Sequence, residues 1–296
     1  MRRGIWMKTA PYLYSLASFG EIILPALTLA GARRIVEIGS EYGGFTRELH
    51  AYATQAAGLL VSIDPAPKPA AFEFITANRN NAHFQFIQDA SVSILPDLAG
   101  ADAYVVDGDH NYFTVRTELD LIFKACGDKP LLVFEHDVCW PCGRRDMYYN
   151  PRSILAEFRQ PHSRERGLTL DDAGMIDGGM RGGEISFALQ EGGPCNGVRT
   201  AIEDFIFHHP DLCFEIIPVI LGLGVIYSRT APWAGALTTL LRPYTTSPLL
   251  ELLERNRLEL YLKVIELQDQ HNPPPPKPAV LSPVIFNQII PKTRQP

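Results

Sequence analysis

The chain has 296 residues, 46% of them hydrophobic and 20% charged, which is the composition of an ordinary globule with room for one large or two modest domains. The formal net charge is −6 and the lysines and arginines are scattered, which disfavours nucleic acid or an anionic membrane as a partner. The apolar run 22–30 is too short to span a bilayer and contains Pro25, and no cleavable leader follows the basic start, so we expect a cytoplasmic protein.

Apolar runs alternate with amphipathic stretches between residues 33 and 137. The runs predict strands, and the stretches between them predict helices. Strands that are apolar throughout are buried on both faces, so the pattern predicts a parallel sheet with helices on both sides. The predicted strands are 34–38, 59–63, 83–87, 103–106 and 131–134, and the predicted helices are 46–57, 70–78 and 111–125.

Carboxylates lie at or just after the end of nearly every predicted strand: Glu37, Asp64, Asp89, Asp107 and Glu135. In an open α/β sheet the ligand lies beyond the carboxyl ends of the strands. The row of acids therefore predicts a cationic or polyhydroxyl ligand, or a metal, at that edge.

Residues 138–196 interrupt the alternation, being rich in Gly, Arg and Tyr with little periodicity. A segment of this length inside a compact domain is usually a lid, a binding loop or disordered. Regular structure returns with a predicted helix at 197–208 and an antiparallel hairpin of strands 214–219 and 224–228.

Residues 247–270 give the strongest helical pattern in the chain. A heptad seam, broken by Arg257, runs through Leu250, Leu253, Leu260, Val264 and Leu267. Packing on the helix's own domain and pairing with a second copy, as a homodimer, both explain the seam. The tail from His271 contains the run 273–276 of prolines, which predicts an extended or disordered segment.

The five cysteines are odd in number and loosely spaced, which does not suggest a disulfide framework. Cys139 and Cys142 have the spacing of a redox motif or half of a zinc site, but no second pair of ligands with such spacing exists. We expect reduced thiols without a special role.

A glycine loop follows the first strand. Gly39 lets the backbone turn and approach a ligand, and Gly43 and Gly44 do the same where the next helix begins. The spacing GxxxGG differs from the GxGxxG of dinucleotide folds, and Glu37 and Glu41 beside the loop disfavour a phosphate. The loop suits a nucleoside that carries a positive or zwitterionic tail.

The stretch EIGSEYGGFT, residues 37–46, resembles motif I of the class I S-adenosylmethionine-dependent methyltransferases. The resemblance extends through Asp64, Asp89 and Asp107 to the closing hairpin. It is greatest to the small-molecule O-methyltransferases, methyltransferase family 24 and the catechol- and caffeoyl-type enzymes. It implies a Rossmann-like α/β fold, with a seven-stranded, mostly parallel sheet, an antiparallel closing hairpin and helices on both faces.

The resemblance also implies roles in binding S-adenosylmethionine. Glu37 and Gly39 would line its methionine part, Asp64 would accept from both ribose hydroxyls, and Asp89 with Ala90 would bind the adenine. The remaining predicted cofactor residues lie in or near the glycine loop or end the fourth strand: Ser40, Tyr42, Gly43, Thr46 and Asp107. Two plainer roles stay open, since Asp64 could be a turn residue before Pro65 and Asp89 the N-cap of a helix over 91–95.

The sequences VVDGDHNY and VFEHDVCW follow the fourth and fifth strands, which would bring their polar residues to one rim. In the catechol- and caffeoyl-type enzymes an Asp at the position of Asp107 joins an Asp-Asn pair in binding a divalent cation such as Mg²⁺ or Mn²⁺. Here His136 and Asp137 stand in place of that pair, and magnesium prefers oxygen ligands. We therefore expect either a metal on Asp107, His136 and Asp137, or a metal on the two carboxylates with His136 or His110 as base. Alternatively, His110 caps a helix and His136 is a rim residue.

The acceptor pocket is expected in the insertion, where four side chains suit an aromatic or carboxylate-bearing acceptor: Arg144, Arg145, Tyr148 and Tyr149. Ion pairs that merely hold the loop together explain the same residues.

The predicted organisation has a methyltransferase core (1–137 and 197–230), an insertion forming a substrate pocket or lid (138–196), a C-terminal helix (231–270) and a Pro-rich tail (271–296). The predicted activity is transfer of a methyl group to a hydroxyl of a small metabolite, as in natural product biosynthesis. Two alternatives remain: a catalytically silent cofactor-binding scaffold, and a metal-dependent oxidative enzyme similar to the cephalosporin-hydroxylase-like proteins.

Overall fold

A computed structural model describes residues 15–271 of the protein. The basic start and the Pro-rich tail from residue 272 onward lie outside the described residues. Within the described range, a short 3₁₀ turn at Leu16–Phe19 precedes the helices α1 (Gly20–Ala30), α2 (Gly44–Gln55), α3 (Pro69–Asn78), α4 (Ser91–Ile94), α5 (Tyr112–Cys126), α6 (Val198–His208), α7 (Ala234–Thr245) and α8 (Pro248–His271). The strands are β1 (Arg34–Ile38), β2 (Leu59–Ile63), β3 (Phe84–Ile87), β4 (Ala103–Val106), β5 (Leu132–His136), β6 (Met147–Tyr148), β7 (His162–Ser163), β8 (Ser186–Ala188), β9 (Leu212–Ile217) and β10 (Leu223–Ser228).

The main sheet has seven strands in the order β3-β2-β1-β4-β5-β10-β9. The first five are parallel, and β10 pairs antiparallel with both β5 and β9. This confirms the predicted fold class. β5 runs two residues past its predicted end because its last two side chains, Glu135 and His136, are buried although polar, and an apolar pattern cannot show such residues.

Side chains alternate between two cores on the two faces of the sheet. Ile35, Leu60 and Phe134 face the core that includes residues of α1, α2 and α7. Val36 and Val133 face the other core, which includes α5 and α6. Both faces of the strands are therefore covered, as their uninterrupted apolar character predicts.

Two helices were not foreseen as separate elements. The run 22–30 belongs to α1, which contains Pro25 in its interior and buries Ile22, Ile23 and Leu27 against the sheet. The segment 231–270, expected to supply one C-terminal helix, contains both α7 and α8. Pro248 stands at the first position of α8, where proline is tolerated because the missing N–H would have no partner there.

The predicted seam of α8 does not pack on its own domain. Only Glu254 and Leu258 of this helix are buried. The four seam residues beyond the first turn are half or more exposed: Leu253, Leu260, Val264 and Leu267. None of the helices between residues 15 and 271 combines the length and the apolar character needed to cross a bilayer.

The insertion forms a second sheet of three short strands in the order β6-β8-β7. Asp146, fully buried, joins it to the main domain by accepting hydrogen bonds from the backbone N–H groups of Tyr112 and Gly197, each at 2.7 Å. Burial raises the pKa of Asp146 to about 6, although these bonds and one from Tyr148 oppose the rise. The segment is thus ordered despite its lack of periodicity. All five cysteines are unpaired, as expected.

Candidate active site

The glycine loop between β1 and α2 is pressed against the end of β4. Gly39 has a φ of +84°, and a Cβ added to it would lie 2.1 Å from the carbonyl oxygen of Asp107. Gly43, with a φ of +71°, is the N-cap of α2, whereas a Cβ on Gly44 would meet nothing within 4 Å. Gly39 is therefore required by this close packing, which brings the motif and Asp107 together.

Asp64 fastens the glycine loop to the end of β2. Its Oδ2 accepts from the N–H and the hydroxyl of Ser40 and from the N–H of Glu41, all at 2.9 Å, and its Oδ1 accepts from the N–H of Ala66 at 2.8 Å. The turn role is thus present. Because a carboxylate oxygen accepts about two hydrogen bonds, Oδ1 keeps room for one ribose hydroxyl, and the ribose role stays a prediction.

Glu37 is buried on β1 beneath the loop. Thr46 donates to its Oε1 at 2.9 Å and Ser62 to its Oε2 at 2.6 Å. Burial raises the pKa of Glu37 to about 8 against the opposing effect of these hydroxyls, and the charges of Asp64 and Asp107 add to the rise. Glu37 is therefore mostly protonated at neutral pH, and a cation placed nearby would favour its ionised form.

The predicted adenine site lies open after β3. Asp89 is exposed, and its Oδ1 accepts from the N–H of Ala90 at 2.7 Å. Ala90, not Asp89, occupies the N-cap position of α4, so the capping alternative for Asp89 is wrong. Tyr42, in the glycine loop, is 46% exposed. Contact of these residues with a cofactor stays a prediction.

Four polar side chains meet where β4 and β5 end, as the sequence predicts. His136 Nδ1 lies 3.0 Å from Asp107 Oδ1, and His110 Nδ1 lies 3.3 Å from Asp137 Oδ2. His110 Nε2 is 4.0 Å from Asp107 Oδ1. Asp137 directly follows β5 with a φ of +59°, a left-handed conformation that Asp adopts more readily than most residues. We call these four residues the acid–histidine cluster. Asn111, rather than His110, caps α5 by accepting from the N–H of Thr114.

His136 is held as a double donor. Its Nδ1 faces the carboxylate of Asp107, and its Nε2 lies 2.9 Å from the carbonyl oxygen of Ile220. Both partners are acceptors, so both ring nitrogens carry protons and the ring is an imidazolium. Burial lowers the pKa of His136, but Asp107 and Asp137 outweigh it and raise that pKa to about 9. Burial raises the pKa of Asp107, but His136 and His110 outweigh burial, so the pKa of Asp107 lies below its ordinary value.

The structure brings the predicted metal triad together, and metal binding there stays a prediction. Asp107, His136 and Asp137 each offer one atom, and the three atoms lie within 4.8 Å of one another. To bind a metal, His136 would release the proton on Nδ1, while its Nε2–H would keep its hydrogen bond to Ile220. Asp137 does fit an oxygen ligand, because its buried Oδ1 has no hydrogen-bond partner among the described residues.

The hairpin tip between β9 and β10 supports the cluster from behind, which the sequence did not indicate. Ile220 and Leu221 have φ values of +52° and +64°. The carbonyl of Ile220 accepts from His136, and the N–H of Leu221 donates to Glu254 of α8 at 2.9 Å. Arg257, which breaks the seam, pairs with Glu254 at 2.6 Å. A helix pattern gives no sign that one of its many glutamates holds a distant turn.

Of the four predicted substrate residues, three are engaged within the protein. Arg144 pairs with Glu203 of α6 at 2.6 Å, and Tyr148 donates to Asp146 at 2.7 Å. Arg145 is almost completely buried and donates to two backbone carbonyl oxygens, each at 2.6 Å. These contacts are the structural role that the sequence left open.

Tyr149, the fourth, is 55% exposed and lies over the cluster, with its ring centre 6.2 Å from that of His110. Partial burial and then the charges of Asp107 and Asp137 raise the pKa of its hydroxyl above the ordinary value. Tyr149 therefore stays protonated and able to donate a hydrogen bond at the mouth of the cluster.

A family model matches the part of the chain that contains the parallel strands and the cluster. Residues 36–138, from β1 to just past β5, match the family model described as "Methyltransferase domain". The match confirms the resemblance to class I S-adenosylmethionine-dependent methyltransferases over this part of the chain. No curated protein sequence matches the chain.

Solved structures with a distantly similar fold include three methyltransferases. PaMTH1 of Podospora anserina, bound to SAH, is 14% identical, with 72% of this chain and 79% of that chain covered and a TM-score of 0.44. An O-methyltransferase of Bacillus cereus in complex with SAH is 12% identical, with 74% and 82% covered and a TM-score of 0.42. TomG of Streptomyces achromogenes, an O-methyltransferase involved in tomaymycin synthesis and solved with SAM, is 16% identical, with 74% and 82% covered and a TM-score of 0.43.

Proposed function

We propose that the protein is an S-adenosylmethionine-dependent methyltransferase that methylates a hydroxyl oxygen of a small molecule. One observation carries the proposal: the acid–histidine cluster abuts the glycine loop at the carboxyl edge of the sheet. Gly39 packs against the carbonyl of Asp107, so a ligand in the loop would lie beside the cluster. The methyltransferase-domain match covers both features.

The cofactor would be held by residues of three strand ends. The loop residues Gly39, Ser40 and Gly43 would line its amino-acid part above Glu37, whose proton would be released as the cationic cofactor binds. Oδ1 of Asp64 would accept a hydrogen bond from a ribose hydroxyl, and the exposed Asp89 would accept one from the adenine amino group. When bound, S-adenosylmethionine would supply an electrophilic methyl group on a sulfonium, whose sulfur leaves as a neutral thioether when an oxygen nucleophile takes the methyl.

We assign the role of general base to His110. Its Nδ1 faces Asp137, so the neutral ring would hold its proton there and present the lone pair of Nε2. In methyl transfer, Nε2 would take the proton of the acceptor hydroxyl as the oxygen forms its bond to the methyl carbon and the carbon–sulfur bond breaks. Tyr149, above the His110 ring, would donate a hydrogen bond that orients the acceptor.

His136 would act as a positioning residue in place of the base or metal ligand predicted for it. As a buried imidazolium, it fixes the carboxylate of Asp107 and ties the hairpin tip to the cluster. The oxidative alternative, an iron centre on His136 and Asp137, would require His136 to release the Nδ1 proton that it donates to Asp107. The methyltransferase-domain match favours methyl transfer over that alternative.

The proposal is tested with the full-length protein and a panel of phenols, catechols and aliphatic alcohols, with S-adenosylmethionine as donor and mass spectrometry to detect methylated product. His110→Gln is expected to lower the turnover about 10²- to 10⁴-fold, the usual contribution of a general base, while leaving the dissociation constant of S-adenosylhomocysteine unchanged. His83→Gln, on a histidine before β3, is the matched control. Full activity in His110→Gln would refute the base assignment. Cofactor binding with no methylated product from any acceptor would favour the silent scaffold.

A further inference from the structure

A cationic pocket lies in the insertion, apart from the acid–histidine cluster. It encloses about 660 Å³, which is within the range of small-molecule sites. The lining carries no acidic side chain. Its polar side chains include three arginines, a histidine and two serines: Arg152, Arg159, Arg164, His162, Ser163 and Ser186.

The three arginines are not neutralised by carboxylates. In the part of the chain from 15 to 271, none of them forms an ion pair, whereas Arg144, Arg181 and other arginines do. Arg159 donates to the backbone carbonyl of Pro151, at 3.2 Å. Three unpaired guanidinium groups in one pocket of a chain with a net charge of −6 create a local positive potential that attracts anions.

The serines supply an independent sign of a ligand. Ser186, on the central strand β8, is 1% exposed, and its hydroxyl has no hydrogen-bond partner among the described residues. A buried hydroxyl left unpaired is destabilising. The Ser163 oxygen accepts from the N–H groups of Glu165 and Arg166, which leaves its own proton to donate. Both hydroxyls can therefore donate to an anion in the pocket.

We propose that this pocket binds the phosphate group of a small organic phosphate ester. A phosphate dianion accepts several charge-assisted hydrogen bonds, and guanidinium groups bind its oxygens in pairs. The donors come from separate segments, around residues 152, 159, 163 and 186, which suits a tetrahedral group better than a planar carboxylate. The volume exceeds that of phosphate alone and leaves room for an organic body. The inference does not depend on methyl transfer, since it concerns binding alone.

The test is calorimetric titration of the full-length protein at low salt with glycerol 3-phosphate, inorganic phosphate and acetate. We expect glycerol 3-phosphate to bind best and acetate least. The double variant Arg152→Gln with Arg164→Gln should weaken binding at least tenfold, and the matched control Arg166→Gln, on an exposed arginine outside the lining, should not. Screening by salt should weaken binding further.

Ser186→Ala separates binding from folding. Because the hydroxyl has no partner among the described residues, this variant should unfold at the same temperature as the wild type or higher, yet bind glycerol 3-phosphate several-fold more weakly. Three results would overturn the proposal. They are equal affinity for acetate and phosphate, equal binding by the arginine double variant and the Arg166→Gln control, and no binding of any phosphate. Equal affinity for glycerol 3-phosphate and inorganic phosphate would reduce the pocket to an adventitious oxyanion site and also overturn it.

Discussion

Replacing His136 with glutamine should remove a pH-dependent part of the protein's stability. The pKa of His136 rises from 6.5 to about 9, and each tenfold change in proton affinity corresponds to about 1.4 kcal/mol, so protonation of this ring stabilises the fold by about 3 kcal/mol. The ring is 2% exposed, so solvent screens the interaction little. Because the pKa is higher in the folded state, the stabilisation is complete below pH 6.5 and is lost as the pH rises through 9.

The assay is denaturant unfolding of the wild type and His136→Gln across this pH range. The gap between their unfolding free energies should be largest at the acidic end and shrink by about 3 kcal/mol toward the alkaline end. Subtracting the two curves cancels the titrating groups that do not interact with His136, and His208→Gln, on an exposed histidine of α6, is the matched control. A constant gap for His136→Gln would show that the ring is not an imidazolium held by Asp107 and Ile220.

Three further outcomes are expected. Gly39→Ala should lower the unfolding free energy by about 3 kcal/mol or more, because its Cβ would lie 2.1 Å from a backbone oxygen. The control Gly44→Ala should change the unfolding free energy by less than about 1 kcal/mol. Similar losses of stability in both variants, measured by thermal unfolding, would contradict the packing argument. Glu37→Gln should raise the melting temperature more at alkaline than at acidic pH, because ionising this buried acid destabilises the fold as the pH rises from 4.5 through 8. A pH-independent change in melting temperature would show that ionisation of Glu37 does not destabilise the fold. We propose that the exposed seam of α8 pairs two copies of the chain, so Leu253→Glu with Leu260→Glu should halve the mass measured by light scattering, and a monomeric wild type would exclude this pairing.

Much of the fold was predictable because it follows from hydrophobic periodicity. β1, β2 and β4 begin and end where the sequence predicts, since apolar runs buried on both faces leave a clear pattern. The end of β5 was not predictable, because Glu135 and His136 are buried through hydrogen bonds and desolvation that a hydropathy pattern does not contain. The insertion's order depends on single polar contacts, above all those of Asp146, and these have no periodicity.

The sequence predicted which residues meet at the site. It was less informative about the role of each residue. Parallel strand ends share one edge, so the meeting of Asp107, His110, His136 and Asp137 follows from topology. The sequence did not show the contact of His136 with Ile220, whose carbonyl lies on a hairpin more than eighty residues away in the chain. Long-range backbone acceptors of this kind leave no mark in a sequence motif.

The central claim is that the carboxyl edge of the sheet binds an adenosine-linked sulfonium. Calorimetric titration of S-adenosylmethionine and S-adenosylhomocysteine into the full-length protein, with circular dichroism to verify folding, tests it most directly. We predict saturable binding of both at one site per chain. The absence of heat and of saturation with either compound, in a protein shown to be folded, would contradict the account.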